Sequence, residues 1–502
     1  MSYAVREVLE FVKQNDVKFI RLAFCDMFGT QKNISIMPDE LERAFKEGVS
    51  FDASAIRGFG DVAKSDLLLF PDADTLNVLP WRPQQGRVVR FFCDIKTPDK
   101  EEFLYDSRNI LKKVVRICQE KGYTPYIGTE CEFYLFKTDE DGEATYITHD
   151  KGGYFDMAPI DKGENIRREI CLCLEEMGIK PESSHHEQGP GQNEIDFKYS
   201  DSLNAADNFL TFKSVVKAIA ARSGLYASFM PKPISNKSGN GLHINISLNK
   251  NGTNIFKEEN GQQAEVESFI AGILSKTREI TAFLNPIVNS YERFGKFEAP
   301  KYVSWSHQNR SQLVRIPAAT GEKTRMELRS PDSAINPYLA FSLILGAGLY
   351  GIENSLKLPK EINENLYTLD EEKLKDIEVL PETLEEALDI AKNSESTKMT
   401  EFGEDITAKD VFDLAKEGDK GAVAVVEQMS TYLGKAMASI ATVVNPQAFI
   451  IGGGVSKAGQ YLIDAIADVY VKYAFQACRE AKIALAELGN DAGIYGAAAL
   501  IV

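Results

Sequence analysis

The stretch Thr129-Glu130-Cys131-Glu132-Phe133-Tyr134-Leu135-Phe136 constrains this chain more than any other. Its aromatic and aliphatic content favours a β-strand, and the strand period of two sends Glu130 and Glu132 to one face while Cys131, Phe133 and Leu135 take the other. Two carboxylates therefore leave a largely apolar strand on the same side. Without a neighbouring cation they repel and one takes up a proton, so the pattern calls for a metal ion, an arginine or open water. A half-exposed edge strand accommodates the same residues, because a short motif taken alone is ambiguous.

The same design recurs downstream. In Glu194-Ile195-Asp196-Phe197 the acids alternate with hydrophobes, and Glu187 precedes a Gly189-Pro190-Gly191 turn able to fold it back toward Glu194. In Leu242-His243-Ile244-Asn245-Ile246-Ser247-Leu248 the polar set is His243, Asn245 and Ser247, and the loop Ser238-Gly239-Asn240-Gly241 before it admits close approach of a ligand to the backbone. Three of the five histidines, His185, His186 and His243, fall in these stretches. Arg325, Glu327 and Arg329 share a face of a further alternating strand, with Arg293, Glu298, Arg310 and Arg315 upstream. A solvated sheet face explains many charge runs, but repeated strands of this kind also suit the lining of one polar cavity. If Glu130, Glu132, Glu187, Glu194 and Glu327 converge with an imidazole, two divalent cations offset most of the charge. Oxygen ligands with one His suit Mg²⁺ or Mn²⁺, and the arginines then need phosphate or carboxylate. Two metals beside several arginines suggest phosphoryl transfer from a nucleotide.

A chain of 502 residues suggests two to four domains. Its first 95 or so residues read as a small α+β unit containing the loop Phe51 to Gly60, with Pro98 to Glu102 as a linker. A net charge of -17 argues against general nucleic-acid binding and anionic membrane surfaces. Seven scattered cysteines without a Cys-x-x-Cys pair suggest reduced thiols and a cytoplasmic protein. The N-terminus lacks a signal-peptide pattern, and the apolar run Tyr338 to Ile352 is too short for a membrane span, so a buried helix is expected.

Taken in order, these stretches resemble bacterial type I glutamine synthetase from about residue 3 to about residue 393. The motifs are Phe51-Asp52, Glu130-Cys131-Glu132, His185-His186-Glu187 with Gln192-Asn193-Glu194, Gly241-Leu242-His243, Asn309-Arg310-Ser311, Arg325-Met326-Glu327-Leu328-Arg329 and Asn336-Pro337-Tyr338. The resemblance implies an α+β chain: an N-terminal β-grasp domain over residues 1–100, then a catalytic domain over 105–393 whose curved antiparallel sheet forms a funnel between subunits. It implies that Glu132, Glu187 and Glu194 hold the metal nearer the amino acid, and Glu130, His243 and Glu327 the metal nearer the nucleotide phosphates. Ser238, Gly239, Arg293, Glu298, Arg310 and Arg329 would line the glutamate site, and Glu182, Asn245, Ser247, Arg310 and Arg315 would contact ATP.

The implied reaction joins ammonia to the γ-carboxylate of L-glutamate through an acyl phosphate, with ATP as co-substrate and two Mg²⁺ or Mn²⁺ ions. Asp52, from a neighbouring subunit, would bind ammonium and favour its deprotonation, Glu298 would close the site, and Arg310 would stabilise the transferring phosphate. Family members are homo-oligomers, commonly dodecamers. Three departures bear on amine selectivity or glutamate affinity: Asp52-Ala53-Ser54-Ala55 replaces Asp-Gly-Ser-Ser, Ser238-Gly239-Asn240-Gly241 replaces Asn-Gly-Ser-Gly, and the Arg293 to Glu298 flap is one residue shorter. A γ-glutamyl ligase for another amine and a non-catalytic binding protein are the competing readings.

The tail differs in kind. Residues 400–502 resemble the final part of ROK-family sugar kinases, an α/β fragment of an actin-like fold, through Asn445-Pro446, Ile450-Ile451-Gly452-Gly453-Gly454-Val455-Ser456 and Gly489-Asn490-Asp491-Ala492-Gly493. The N-terminal half of such a kinase is missing, and the tail has Cys478 but no histidine for a zinc cluster. A joined fragment is expected, with its junction in Ser394 to Thr400.

Overall fold

The computed structural model describes residues 3–60, 65–82, 85–257, 263–393 and 406–486, and the chain divides into two compact units at Ala391/Lys392. The first unit opens with a six-stranded sheet formed by β1 (Val17–Cys25), β2 (Gln31–Ile36), β3 (Val49–Asp52), β4 (Asp66–Pro71), β5 (Asn77–Val78) and β6 (Arg87–Lys96). β1 runs parallel to β6 and the other pairs are antiparallel. Ile20, Leu22, Val89 and Phe91 join its core with Val8 and Val12 of α1 (Tyr3–Gln14) and Leu41 and Ala44 of α2 (Leu41–Glu47). Phe51 and Asp52, expected in a loop, are the last residues of β3. Pairing with Leu67 and Asp66 keeps them extended despite the small residues that follow.

The larger sheet has eleven strands: β7 (Tyr123–Thr138), β8 (Ala144–Thr148), β9 (Pro181–His186), β10 (Gln192–Phe197), β11 (Ser200–Asp201), β12 (Leu225–Ser228), β13 (Leu242–Lys250), β14 (Thr253–Asn254), β15 (Trp305–His307), β16 (Val314–Ile316) and β17 (Met326–Leu328). Its main path runs β15-β16-β17-β13-β7-β10-β9, antiparallel except for the parallel pair β15 and β16. The apolar faces of β7, β10 and β13 bury Cys131, Phe133, Leu135, Ile195, Phe197, Ile244 and Ile246 in one core. Helices α3 (Ser107–Glu120), α4 (Glu164–Glu176), α5 (Ser202–Arg222), α6 (Gln263–Leu284) and α7 (Pro337–Glu353) contribute Leu111, Ile170, Phe212, Phe269 and Phe341 to that core. The run from Tyr338 is therefore a buried helix, with Asn336 capping it and Pro337 at its first turn.

A largely buried ionic hub joins the smaller sheet to α3, α5 and α7. Arg108 Nη1 donates to Asp72 and Asp94 at 2.9 and 3.0 Å, and its Nε and Nη2 donate to Asp207 at 3.1 and 2.9 Å. The Tyr338 hydroxyl completes Asp207 at 2.6 Å. The unit ends with the short helix α8 (Glu371–Leu374) and with α9 (Leu384–Asn393), which reaches into the boundary.

The second unit packs α10 (Ala408–Lys416), α11 (Lys420–Val444) and α12 (Gln460–Tyr473) beside a parallel pair, β18 (Ala448–Ile451) and β19 (Lys482–Leu485). Phe412, Val426, Met437, Leu462, Ile466 and Tyr470 form its core. Asn445 ends α11 in the left-handed conformation at φ 47°. The Ser394 to Thr400 junction and the Gly489 to Gly493 motif lie outside the described residues. All seven cysteines are free, and among the described residues no helix is long and apolar enough to cross a membrane.

Candidate active site

Strand register assembles the polar face that alternation foreshadows. Glu194 of β10 sits opposite Glu132 of β7, and Asp196 sits opposite Glu130. On the far side of β10, His185 pairs with Glu194 and Ser183 with Asp196. On the far side of β7, His243 pairs with Glu130, and Asn245 of β13 in turn pairs with Glu327 of β17. Like charges directly opposite each other weaken a sheet, so two such carboxylate pairs in neighbouring rows need a cation or bound protons.

Two clusters gather on this face, each with ligand atoms within 4.8 Å of one another: Glu130, His243 and Glu327, and His185, Glu187 and Glu194. In the first, His243 Nδ1 lies 3.3 Å from Glu130 Oε2 and 3.7 Å from Glu327 Oε1. Asn245 Nδ2 donates to Glu130 Oε1 at 2.9 Å, Arg329 Nη1 donates to Glu327 Oε1 at 2.6 Å, and Arg315 closes on Glu327 Oε2. In the second, His185 Nε2 is 3.0 Å from Glu187 Oε1 and 3.8 Å from Glu194 Oε2.

Burial raises the Glu130 carboxyl, but His243 and Asn245 outweigh it and hold the group down at about 2. Glu327 is likewise lowered, with Arg329 and His243 overcoming its burial. Glu194, Asp196 and Glu132 move the other way: burial pushes them up, and the facing carboxylates Asp196, Glu130 and Glu187 respectively push further. A divalent cation among these carboxylates would offset the repulsion that pushes them up. Oxygen donors with a single imidazole per cluster fit hard cations of the Mg²⁺ or Mn²⁺ type.

A cavity of about 670 Å³ opens over this face. Glu130, Glu132, Glu187, Glu194 and His243 line it, as do all six residues expected at a glutamate site: Ser238, Gly239, Arg293, Glu298, Arg310 and Arg329. A second cavity of about 300 Å³ is lined by Glu182, Asn245 and Ser247 and shares Glu130, Ser183 and Asp196 with the first. The backbone at Ser238 to Gly241 reaches the site because it carries so little side chain: a Cβ on Gly239 would stand 2.4 Å from the Pro231 carbonyl, and one on Gly241 2.9 Å from Arg293 Nη2. Phe297 and Glu298 on the cavity rim adopt φ of 49° and 66°, sparsely populated for such residues.

Three expected residues line neither cavity: Glu327, which still belongs to the first cluster, Arg315 and Asp52. Arg315 lines neither cavity and is spent on Glu327. Asp52 is exposed on the smaller sheet, lines neither cavity, and accepts from the Ser54 amide and hydroxyl at 2.9 and 2.6 Å. Glu132 lines the same cavity, with its Oε2 accepting from the Gln192 side chain and the Gly241 amide, while His185 is the third member of the second cluster. The rings of Tyr154 and Phe155, which also line the cavity and meet His185 in T-shaped contacts, had no signal in the sequence beyond their aromaticity.

Comparison with known proteins agrees with this geometry. The family model for the glutamine synthetase β-grasp domain matches residues 16–98, that for the glutamine synthetase catalytic domain matches 104–418, and the ROK family model matches 388–502. A glutamine synthetase of Clostridium saccharobutylicum is 47% identical over 86% of this chain and 99% of its own. Among solved structures, one described as a GmaS/ADP complex superposes with a TM-score of 0.70 at 30% identity, covering 77% of this chain and 90% of its own. Plasmodium falciparum glutamine synthetase also scores 0.70, at 26% identity over 84% of this chain and 96% of its own. The small mixed sheet, the antiparallel sheet lined with acids and these matches together show that the chain belongs to the glutamine synthetase family, with a segment matching the ROK family at its C-terminal end.

Proposed function

We propose that this protein is a cytoplasmic ATP-dependent ligase that joins ammonia to the γ-carboxylate of L-glutamate. The observation that carries the reading is the row of acids on β7 and β10, flanked by His185 and His243, at the floor of a cavity walled by arginines. Glu130, His243 and Glu327 would hold one divalent cation, and Glu187 and Glu194 a second, with Oε1 of Glu132 or the ring of His185 beside them. Bound there, Mg²⁺ or Mn²⁺ would neutralise the terminal phosphate of ATP and polarise it toward attack.

The chain's own groups do the rest. The nucleotide enters past Glu182, Asn245 and Ser247, and its terminal phosphate crosses Glu130 into the larger cavity. Ser238, Gly239, Arg293 and Arg329 seat glutamate with its γ-carboxylate toward that phosphate, while Arg310 stabilises charge on the transferring group. Glu298 closes over the acyl phosphate and excludes water. Asp52 lies outside the cavity of its own chain, which supports a homo-oligomer in which a neighbour's Asp52 reaches the site and draws a proton from ammonium.

The test supplies ATP, L-glutamate and MgCl₂ with ammonium or with methylamine or ethylamine, following glutamine and phosphate release. Ammonium is expected to be the preferred amine, and Asp52→Ala to lower kcat with ammonium by about two orders of magnitude. Preference for an alkylamine would point to a different γ-glutamyl ligase, a choice that Ala53 and Ala55 beside Asp52 make worth testing. Absence of amine-dependent phosphate release would leave a binding protein. The tail is read as accessory, so glucose in place of glutamate is expected to release no ADP.

A further inference from the structure

Gln192 opens β10 fully buried, and its amide is engaged on every side. Oε1 accepts from the Gly189 amide at 2.9 Å and from the Ser238 hydroxyl. Nε2 donates to Glu132 Oε2 at 3.0 Å and to the Gly239 carbonyl at 3.0 Å, with Asn240 Oδ1 at 3.4 Å. The orientation is not arbitrary: a backbone N–H can only donate and a backbone carbonyl can only accept, so Gly189 and Gly239 fix which end is oxygen and which is nitrogen. Glu132 Oε2 takes a second N–H from Gly241 at 2.9 Å. That oxygen therefore accepts two N–H groups, one from Gln192 and one from Gly241, and Glu132 lines the cavity.

One amide therefore ties a carboxylate of the acidic face to both residues of the loop read as seating glutamate. We propose that Gln192 is a positioning residue that couples the two: loading the Ser238-Gly239 loop holds Glu132 with Oε1 toward the cation, and the cation in turn steadies the loop. The proposal rests on the ligase reading of this site. Because the coupling is a binding free energy it is reciprocal, so glutamate should tighten Mn²⁺ binding by the same factor by which Mn²⁺ tightens glutamate.

The experiment measures Mn²⁺ affinity by electron paramagnetic resonance on the full chain, with and without L-glutamate and with no ATP present. It compares the native chain with Gln192→Glu, which sets an acceptor against Glu132 and Gly239, and with Gln192→Met, which keeps the length but removes both donors. Melting in EDTA confirms that each variant is folded. In the native chain glutamate is expected to tighten Mn²⁺ at least about fivefold. In Gln192→Met the factor should fall to about one, and Gln192→Glu should in addition weaken Mn²⁺ about 10- to 100-fold, as loss of a partner behind a metal ligand does. Steady-state kinetics should show a raised KM for glutamate and a KM for ATP within about twofold of native, a split that general loosening of the fold would not produce. A folded Gln192→Met that retains the glutamate effect on Mn²⁺ overturns the proposal alone. Failure of the native chain to bind Mn²⁺ would instead remove the metal reading of the site, and the proposal with it.

Discussion

Glu327→Gln is expected to lower glutamine formation by about two to three orders of magnitude, the scale associated with losing one preorganised electrostatic contact at a transferring group. Glu327 is 1% exposed and faces three cationic or ionisable neighbours: Arg329 at 2.6 Å, Arg315 on its other oxygen, and His243 Nδ1 at 3.7 Å. The amide keeps the shape but presents an NH₂ to one guanidinium and halves the acceptor capacity. Glu327→Ala goes further and leaves two guanidinium groups, of which that of Arg329 is fully buried, without their carboxylate. Breaking a buried pair from one side costs about 3–5 kcal/mol, so this variant should also melt lower. Measuring kcat, Mn²⁺ affinity and melting on both variants separates the two contributions. Full activity in Glu327→Gln would remove this residue from the site.

The contrast with Arg315 and Glu132 shows what could be read from the chain and what could not. Alternation alone sorts β7 into an acidic face with Glu130 and Glu132 and a core face with Cys131, Phe133 and Leu135, because a period of two is a local property. The same holds for β13 and for the buried α7. Register is not local. Alternation rules out a slip of one, which would turn the acids into the core, but nothing within β7 or β10 says that Glu194 will stand opposite Glu132 rather than opposite Glu130, two residues away on the same face. Side-chain partners are less local still. Family resemblance groups Glu132 with Glu187 and Glu194; here Gln192, sixty residues on, occupies one of its oxygens, and His185 clusters with the pair. The resemblance implies a nucleotide contact for Arg315, and in this structure its guanidinium is paired with Glu327. In each case the motif supplies the residue type, and competition among partners brought in from elsewhere in the chain decides where the side chain goes.

Asp150→Asn should destabilise the first unit by about 3–5 kcal/mol, the cost of stripping the partner from a buried ion. His186 is completely buried, and both of its ring nitrogens face acceptors: Nδ1 is 2.7 Å from the Glu187 carbonyl and Nε2 is 2.9 Å from Asp150 Oδ1. The carbonyl cannot donate and neither can Asp150 while it is ionised, so this geometry favours a proton on both nitrogens, the imidazolium form. Asp150 is the counter-ion, and its carboxylate also accepts the amides of Gly152, Lys162 and Gly191. Burial alone would lower the His186 value and raise that of Asp150, but their mutual hydrogen bond and charge reverse both, lifting His186 and depressing Asp150. The raised histidine contributes its full stability below its unfolded value of about 6.5, and loses it as pH rises through the higher folded value. The depressed carboxylate contributes above about 3.9 and loses its share only as pH falls through its lower folded value. Native melting should therefore be highest between about pH 4 and 6.5 as far as this pair decides it, and should fall as pH climbs from 6.5 to 9. In Asp150→Asn the imidazolium is no longer favoured, so the melting curve should start lower and lose that alkaline slope. Melting of both proteins across pH 6 to 9 checks the expectation, and equal slopes would show that His186 is neutral in the folded chain. The pair matters beyond stability because His186 holds the carbonyl of Glu187 and Asp150 holds the amide of Gly191, the two ends of the turn that returns the chain to Glu194. Weakening it should loosen Mn²⁺ binding even where the variant remains folded.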